Sequence, residues 1–462
     1  MINVAVPDTI DERALSKPTG GKPLDIYRST DNLNLAINSA SAIGCTIVNI
    51  HPTTIYEGRP HIILGVIWQI IKVALMANID LTHHPELFRL LEEGEDINDL
   101  LKLTPEKLLM RWLNYHLKNA GSDRRVKNWG TDLKDSEVYT IVMNQLDPKT
   151  CNKDALNKSD LEERARIVLD NGTKLGCKNF IRPRDIVNGN TKLNMAFVAQ
   201  LFNKCPGLEP LKEEELKDVS MDWNEGQDRE ARAFALWINS LGIEDFYCNN
   251  LYQDLRDGLG LIKVIDAIEG KGFVDWKKVD KNPNNKFKKV ANNNYAVDLG
   301  HQLKFSLVNI QGSNIVDGNK TLTLGFVWQL MRHHVIKILK ELGGGKKIEE
   351  NEIIQWANNK VKNAGKNSSM QNFGDSSLKT SLFFIDLLAS IREKSVKYEL
   401  VNTNPQSKEE LMSNAKYAIS VARTLGCLIF VLPDDIIEVN KKMILTFVGA
   451  MMQVSIRIEK NN

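Results

Sequence analysis

The sequence predicts an all-α protein made of four related domains, and three observations carry that prediction. A short motif of Pro or Gly, a small polar residue, Ile and a closing Gly recurs four times along the 462 residues. A strongly apolar helical stretch follows every copy. No segment alternates apolar and polar residues with period two, as a half-buried strand would.

The four copies are "PTTIYEG" (52–58), "PRDIVNG" (183–189), "GSNIVDG" (312–318) and "PDDIIEV" (433–439). Each describes a helix of a single turn. Pro presets φ, a short polar side chain caps, Ile anchors in a core, and Gly takes the left-handed exit. The last copy ends in Val439, and Asn440 is expected to make the exit there. Upstream of three copies a Gly-Cys pair precedes an apolar run: Gly44-Cys45, Gly176-Cys177 and Gly426-Cys427. The third unit has Phe305 in the cysteine's place. The six cysteines show no CxxC or CxxxC spacing. Cys45, Cys177 and Cys427 are expected at equivalent core sites of different domains, buried and reduced, where they cannot pair with one another.

The stretches after the motif, such as "HIILGVIWQIIKVAL" and "LTLGFVWQLMRHHVIKIL", are apolar nearly all round. That marks a central, buried helix. Units one and three share Leu-Gly, two apolar residues and Trp-Gln (Leu64–Gln69, Leu324–Gln329). Units two and four share Lys-Asn-Ala-Gly (118–121, 362–365) and Asn-aromatic-Gly (128–130, 372–374). The order is A-B-A-B, as if a pair had been duplicated as a pair. Each complete unit opens with an amphipathic helix bearing Trp112, Trp237 or Trp356; in "EARAFALWINSLG", Phe234, Trp237, Ile238 and Leu241 keep helical spacing and Gly242 closes the helix. The first unit has no such helix. Its Met1-Ile2-Asn3 stands opposite Val264-Ile265-Asp266 of the third, so the chain is expected to be truncated at its N-terminus.

The expected division is a partial first domain at 1–77, a connection at 78–107 and a second domain at 108–204. An acidic inter-pair linker at 205–228, a third domain at 229–342, a hinge at 343–350 and a fourth domain at 351–462 complete it. The balance of 60 Lys+Arg against 58 Asp+Glu gives no global attraction to nucleic acid or acidic membranes. The start "MINVAVPDTIDERAL" lacks a basic region and meets Pro7 and Asp8 too early for a signal peptide. The most apolar run, "IILGVIWQII", contains Gln69, stops at Lys72 and falls short of the roughly 20 residues of a membrane span. The expectation is a soluble monomer.

Sites for catalysis do not emerge. "GGGKK" (343–347) lacks the glycine spacing and preceding strand of a phosphate loop. The adjacent histidines of "HHPE" and "RHH" point to different sides of a helix and offer no zinc set. The most basic segment, "WKKVDKNPNNKFKKVANNN" (276–294), reads as a solvated loop.

The Trp helix, the Leu-Gly/Trp-Gln helix and the A-B-A-B order resemble calponin-homology domains. Four of them in two tandem pairs resemble the fimbrin, or plastin, family. The likeness spans essentially the whole chain, in stretches such as "EGRPHIILGVIWQIIK", "LTPEKLLMRWLNYHLKNAG" and "QLKFSLVNIQGSNIVDGNKTLTLGFVWQLMR". The resemblance implies that each pair binds F-actin, so that one molecule crosslinks filaments into bundles in the actin cytoskeleton of the cytoplasm, by binding and not as an enzyme. It also implies an N-terminal EF-hand headpiece for calcium; no stretch here reads as an EF-hand loop, so no cofactor is expected of this chain.

Carried onto this sequence, the family's actin contacts fall on His61, Gln69 and Lys72 of unit one and on Arg111, Asn114 and Lys118 of unit two. In the second pair they fall on Arg229 and Arg232, then on Gln329, Arg332, His333 and Lys337. A plain solvated face is the simpler reading of any one of these. Trp68 and Trp328 tempt as interface anchors but read better as core packing. Two alternatives stand beside bundling: a one-site side-binder whose incomplete first domain cannot grip, and a calponin-homology adaptor for partners other than actin.

Overall fold

The structure, a computed structural model, describes residues 1–461 except 19, 48, 82, 213, 214, 216–224 and 347. Much of the acidic linker expected at 205–228 falls on those exceptions and lies outside the described residues. Among the described residues the regular elements are helices and no strand forms, as the sequence predicts. The chain makes two compact units. One holds residues 72–223, the other residues 1–71 together with 224–462.

The third domain sets the pattern. Its opening helix Glu225–Ser240 is followed by Leu259–Glu269, Lys286–Gln302, the one-turn helix Gly312–Val316 and the late helix Lys320–Leu342. The fourth repeats this with Glu350–Asn363, Leu382–Ile391, Lys408–Thr424, Pro433–Ile437 and Lys441–Asn461. The second does so with Pro105–Asn119, Glu137–Leu146, Leu161–Lys174, Pro183–Val187 and Thr191–Lys204. The first contributes Ile2–Ala5, Ile26–Ala42, Pro52–Tyr56 and Pro60–Met76. The basic segment 276–294 is therefore not a loop. Its second half begins the helix Lys286–Gln302, whose N-cap is Asn285, and Lys286 and Lys288 pair with Asp317 and Asp280.

Why Gly-Cys recurs is now visible. The amide of each cysteine reaches back five residues to a carbonyl: Cys45 to Ala40, Cys177 to Gly172, Cys427 to Ala422, each at 2.9–3.0 Å. The preceding glycines stand at φ +102°, +86° and +103°. This is the Schellman ending of a helix, in which Gly supplies the left-handed turn and the next residue tucks into the core. The third domain makes the same bond from Phe305 to Gly300 and puts Lys304 at φ +61° in the glycine's place. None of the six cysteines forms a disulfide.

The one-turn helices form as expected, and the capping is specific. Asp185, Asn314 and Asp435 each turn a side-chain oxygen back onto the amide three residues earlier, at 2.8–3.0 Å. Their exits at Gly58, Gly189 and Gly318 are left-handed. In the fourth copy the exit is made by Val439 itself, at φ +56°, and not by Asn440. Asn440 instead caps the late helix through the Met443 amide. A β-branched residue is costly at positive φ, and this one is held by its amide bond to the Ile436 carbonyl (3.0 Å) while Asn440 bonds Asp435 on both backbone and side chain.

In the larger unit the third and fourth domains share one continuous core, running from Phe234 and Phe326 to Phe384 and Phe447. The first domain's helix Ile26–Ala42 lies along Lys408–Thr424 of the fourth. Polar ties fix this contact. Arg13 donates to the Leu400 and Ser413 carbonyls, the Asp11 amide to the Ser420 hydroxyl, and Arg392 grips Asp31 with two bonds of 2.8–2.9 Å. The separate core of the other unit is built on Trp112, Tyr139, Phe197 and Phe202.

One expectation needs correction. The first domain's late helix, Pro60–Met76, is not buried all round: Leu64 is 63% exposed and Ile71 37% exposed. In the third domain the opening helix packs on the late helix; the described residues of the first domain supply no such cover.

Candidate functional site

The sequence-predicted residues sort into five places. In the unit 72–223, Lys72 pairs with Glu106, and Arg111 pairs with Glu95 through two bonds of 2.5 and 3.0 Å. The Arg111 hydrogen bond holds the Glu95 carboxyl below the usual carboxylate range. At Glu106 burial pushes upward, yet the Lys72 bond and charge, with bonds from its own backbone amide and Thr104, together outweigh it and the carboxyl also lies low. Lys118 is exposed at the end of the opening helix. Asn114 faces inward: its amide donates to the Val126 carbonyl (3.0 Å) and accepts from the Val126 amide (2.8 Å).

The Asn114 contact is a repeated device that sequence reasoning missed. Two residues after the Trp of the third and fourth domains, Asn239 and Asn358 clamp Cys248 and Met370 in the same two-bond way. The Trp-x-Asn spacing shared by "WLN", "WIN" and "WAN" was the available signal.

In the larger unit, His61 is exposed and Gln69 half-buried on the partly covered helix Pro60–Met76. His333 and Lys337 turn into their own domain. His333 Nε2 lies 2.7 Å from Glu269, and Lys337 reaches both Glu269 (3.2 Å) and the Ile268 carbonyl (2.8 Å). Beside them His334 accepts the Trp237 indole N–H on Nδ1 at 3.2 Å, and burial, with the neighbouring His333 and Lys337 charges, lowers its pKa to about 4.

Gln329 and Arg332 look instead into a cleft of about 710 Å³ between the third and fourth domains. Trp328 forms part of its wall while packing half-buried on the core. Arg332 bonds Glu350 at 2.5 Å, and Lys304, Lys441 and Lys442 join the lining. These three lysines were missed by sequence reasoning. The Asn-aromatic-Gly motif pointed to one of them: a Cβ on Gly374 would lie 2.2 Å from Lys441 Cε, so glycine is what lets that lysine cross. Arg229 and Arg232 meet at a different place. Arg229 pairs with Glu438 of the fourth domain at 2.5 Å, and Arg232 is exposed. The arrangement offers polar clefts and cationic rims, the chemistry of an interaction surface.

Comparison with known proteins gives the chain its family. The family model "Calponin homology (CH) domain" matches residues 1–75, 103–207, 228–336 and 347–457. Fimbrin of Saccharomyces cerevisiae is 48% identical over 98% of this chain and 71% of its own length. The chain belongs to the fimbrin/plastin family. Human plastin-1 is 44% identical over 98% of this chain and 72% of its own length. The solved actin-crosslinking core of Schizosaccharomyces pombe fimbrin superposes with a TM-score of 0.82, at 42% identity, over 98% of this chain and 89% of that one. In this fimbrin-family chain the A-type domains are the first and third, and the cleft lined by Gln329 and Arg332 lies between the A- and B-type domains of one pair.

Proposed function

We propose that this chain binds actin filaments and crosslinks them into bundles, each tandem calponin-homology pair taking one filament. The observation that carries the reading is architectural. Two A-B pairs fill the chain, and the whole superposes on a core named for actin crosslinking. Two sites on one polypeptide raise the effective concentration of the second filament to about millimolar once the first is bound, so modest single-site affinities suffice. The molecule works as a monomer in the cytoplasmic actin cytoskeleton, by binding and not by catalysis.

The cationic rims are the proposed contact points: His61, Gln69 and Lys72 for the first domain, Arg111 and Lys118 for the second, and Arg229, Arg232, Gln329 and Arg332 for the second pair. A basic rim around an apolar centre steers and orients docking on an acidic polymer. Asn114, His333 and Lys337 contribute by holding their own domains, since their polar atoms are taken there.

Sedimentation tests this. Pelleting of the chain with F-actin at high speed reports binding, and pelleting of actin at low speed reports bundling; both are expected. A second reading rests on the partly uncovered late helix of the first domain, which weakens the first grip and would leave a one-site side-binder. High-speed pelleting without low-speed pelleting selects that reading, and absence of both overturns actin binding altogether.

A further inference from the structure

Where the first, third and fourth domains meet, the structure holds a cavity of about 430 Å³, a volume typical of small-molecule pockets. Its walls are the stretch Val6–Thr9 with Ala42 and Ile43 of the first domain, the opening helix of the third, and the helix Lys408–Thr424 with the run Phe430–Asp434 of the fourth. Leu236, Met412, Ile419 and Phe430 give it an apolar floor, while Arg229, Arg232, Lys416 and Arg423 bring four cations to its edge.

Arg423 is the unusual group. It is 4% exposed, and burial alone lowers its pKa to about 10, with no carboxylate beside it. Its Nη1 donates to the Thr9 carbonyl at 2.9 Å, but its Nε is buried without a hydrogen-bond partner, and so is the Nε of Arg229. Of the other two cations, Lys416 is paired with Asp8 (2.9 Å), and Arg232 is exposed with no ion pair among the described residues. Arg229 is paired with Glu438 and also feels the charge of Asp434, the remaining acid on the wall. A buried guanidinium lacking a counter-charge is expensive, so such a group calls for a partner, and a bound anion would supply one.

We infer that this cavity binds an organic anion with an apolar body: a carboxylate or phosphate head seated on Arg423 and Arg232, and a hydrocarbon portion against Leu236, Ile419 and Phe430. Guanidinium groups suit both heads through paired N–H donors. Because its walls come from three domains, an occupant bridges the first domain to the second pair. The inference rests on the cavity and its unsatisfied donors; it shares Arg232 with the proposed actin rim, and its test is run without actin.

Calorimetric titration of the whole chain with decanoate and with decyl phosphate tests it, inorganic phosphate serving as a head without a body. One saturable site per chain is expected for at least one of the two amphiphiles, with a raised Tm, and the preferred head tells carboxylate from phosphate. Inorganic phosphate should bind far more weakly. Arg423→Met should weaken the amphiphile about 10- to 100-fold, the value of charge-assisted hydrogen bonds. That variant should still fold, since an apolar side chain replaces a buried charge at little cost or none. Arg232→Ala, at an exposed position, should weaken binding several-fold and guards against a folding defect in the first variant. No saturable binding of either amphiphile, equal binding of inorganic phosphate, or affinity unchanged in both variants would overturn the assignment.

Discussion

The first and third domains carry nearly the same late helix and bury it differently. Leu64-Gly-Val-Ile-Trp-Gln69 matches Leu324-Gly-Phe-Val-Trp-Gln329, yet Leu64 is 63% exposed where Leu324 is 4%, and Ile71 is 37% exposed where Met331 is 3%. The third domain's late helix packs on its opening helix Glu225–Ser240 and on the fourth domain's late helix Lys441–Asn461. Apolar composition thus states what a helix is prepared to bury, and its neighbours decide how much it does bury.

The largest consequence concerns stability. Leu324→Ala should cost about 2–5 kcal/mol, as a buried leucine leaving a cavity does. Leu64→Ala should cost under about 1 kcal/mol, because most of that side chain already faces solvent. Urea denaturation of the two variants measures both values; near-equal losses would mean that the first domain's helix is covered in solution.

A second difference lies at Trp237, whose indole donates to His334, while the position matching His334 in the first domain is Ala74. A donor-only indole requires the imidazole nitrogen to be unprotonated. With a folded pKa near 4 against an ordinary value of 6.5, the unfolded chain binds a proton that the fold refuses throughout that window. Stability from this group is therefore complete above pH 6.5 and declines as the pH falls towards 4, by about 3 kcal/mol in all. The groups facing it are Trp237, His333, Lys337 and Glu269. Denaturation midpoints at pH 7 and pH 5 should diverge less in His334→Gln than in the unaltered chain. Identical pH slopes would remove His334 as the cause.

Smaller again is the contrast between two asparagines at equivalent positions. Asn292 makes three bonds, to the Asp257 and Asp280 carbonyls and from the Asp280 amide, at 2.9–3.1 Å. Asn32 makes two, both to Ser16, at 2.9 Å. Asn292→Ala should cost about 2–3 kcal/mol and Asn32→Ala about 1 kcal/mol, following the number of buried partners stranded. Chemical denaturation ranks them, and a reversed order would refute this accounting.

Much of this architecture was legible beforehand, because its devices are local. A Schellman ending needs Gly then an apolar residue, a one-turn helix needs its Ile and its cap, and both leave a mark within ten residues. What the sequence hid was long-range. The repeated Trp-x-Asn spacing marks Asn114 without naming Val126 as its partner, and nothing near Arg423 announces Thr9, more than 400 residues away. For the candidate contacts, spacing placed Arg332 and His333 together on one late helix. The structure sends Arg332 to Glu350 of the next domain and His333 to Glu269 of its own, because neighbouring residues on a helix point about 100° apart.

The smallest expected effect tests the same pair of domains at a single backbone position. Gly44 ends the helix of the first domain at φ +102°, and Lys304 ends the matching helix of the third at φ +61°. Both domains make the same closing bond, from Cys45 to Ala40 and from Phe305 to Gly300, at 3.0 Å. The turn itself is therefore equally well formed, and the lysine carries a left-handed conformation that glycine adopts freely. A side chain in that region costs about 1 kcal/mol. Against it, glycine leaves the unfolded chain more entropy to lose, which takes back a part. Lys304→Gly should stabilise the larger unit by up to about 1 kcal/mol in urea denaturation with the slope of the transition unchanged. A loss instead would mean that the Lys304 side chain, which lines the cleft beside Arg332, is itself holding the third domain to the fourth.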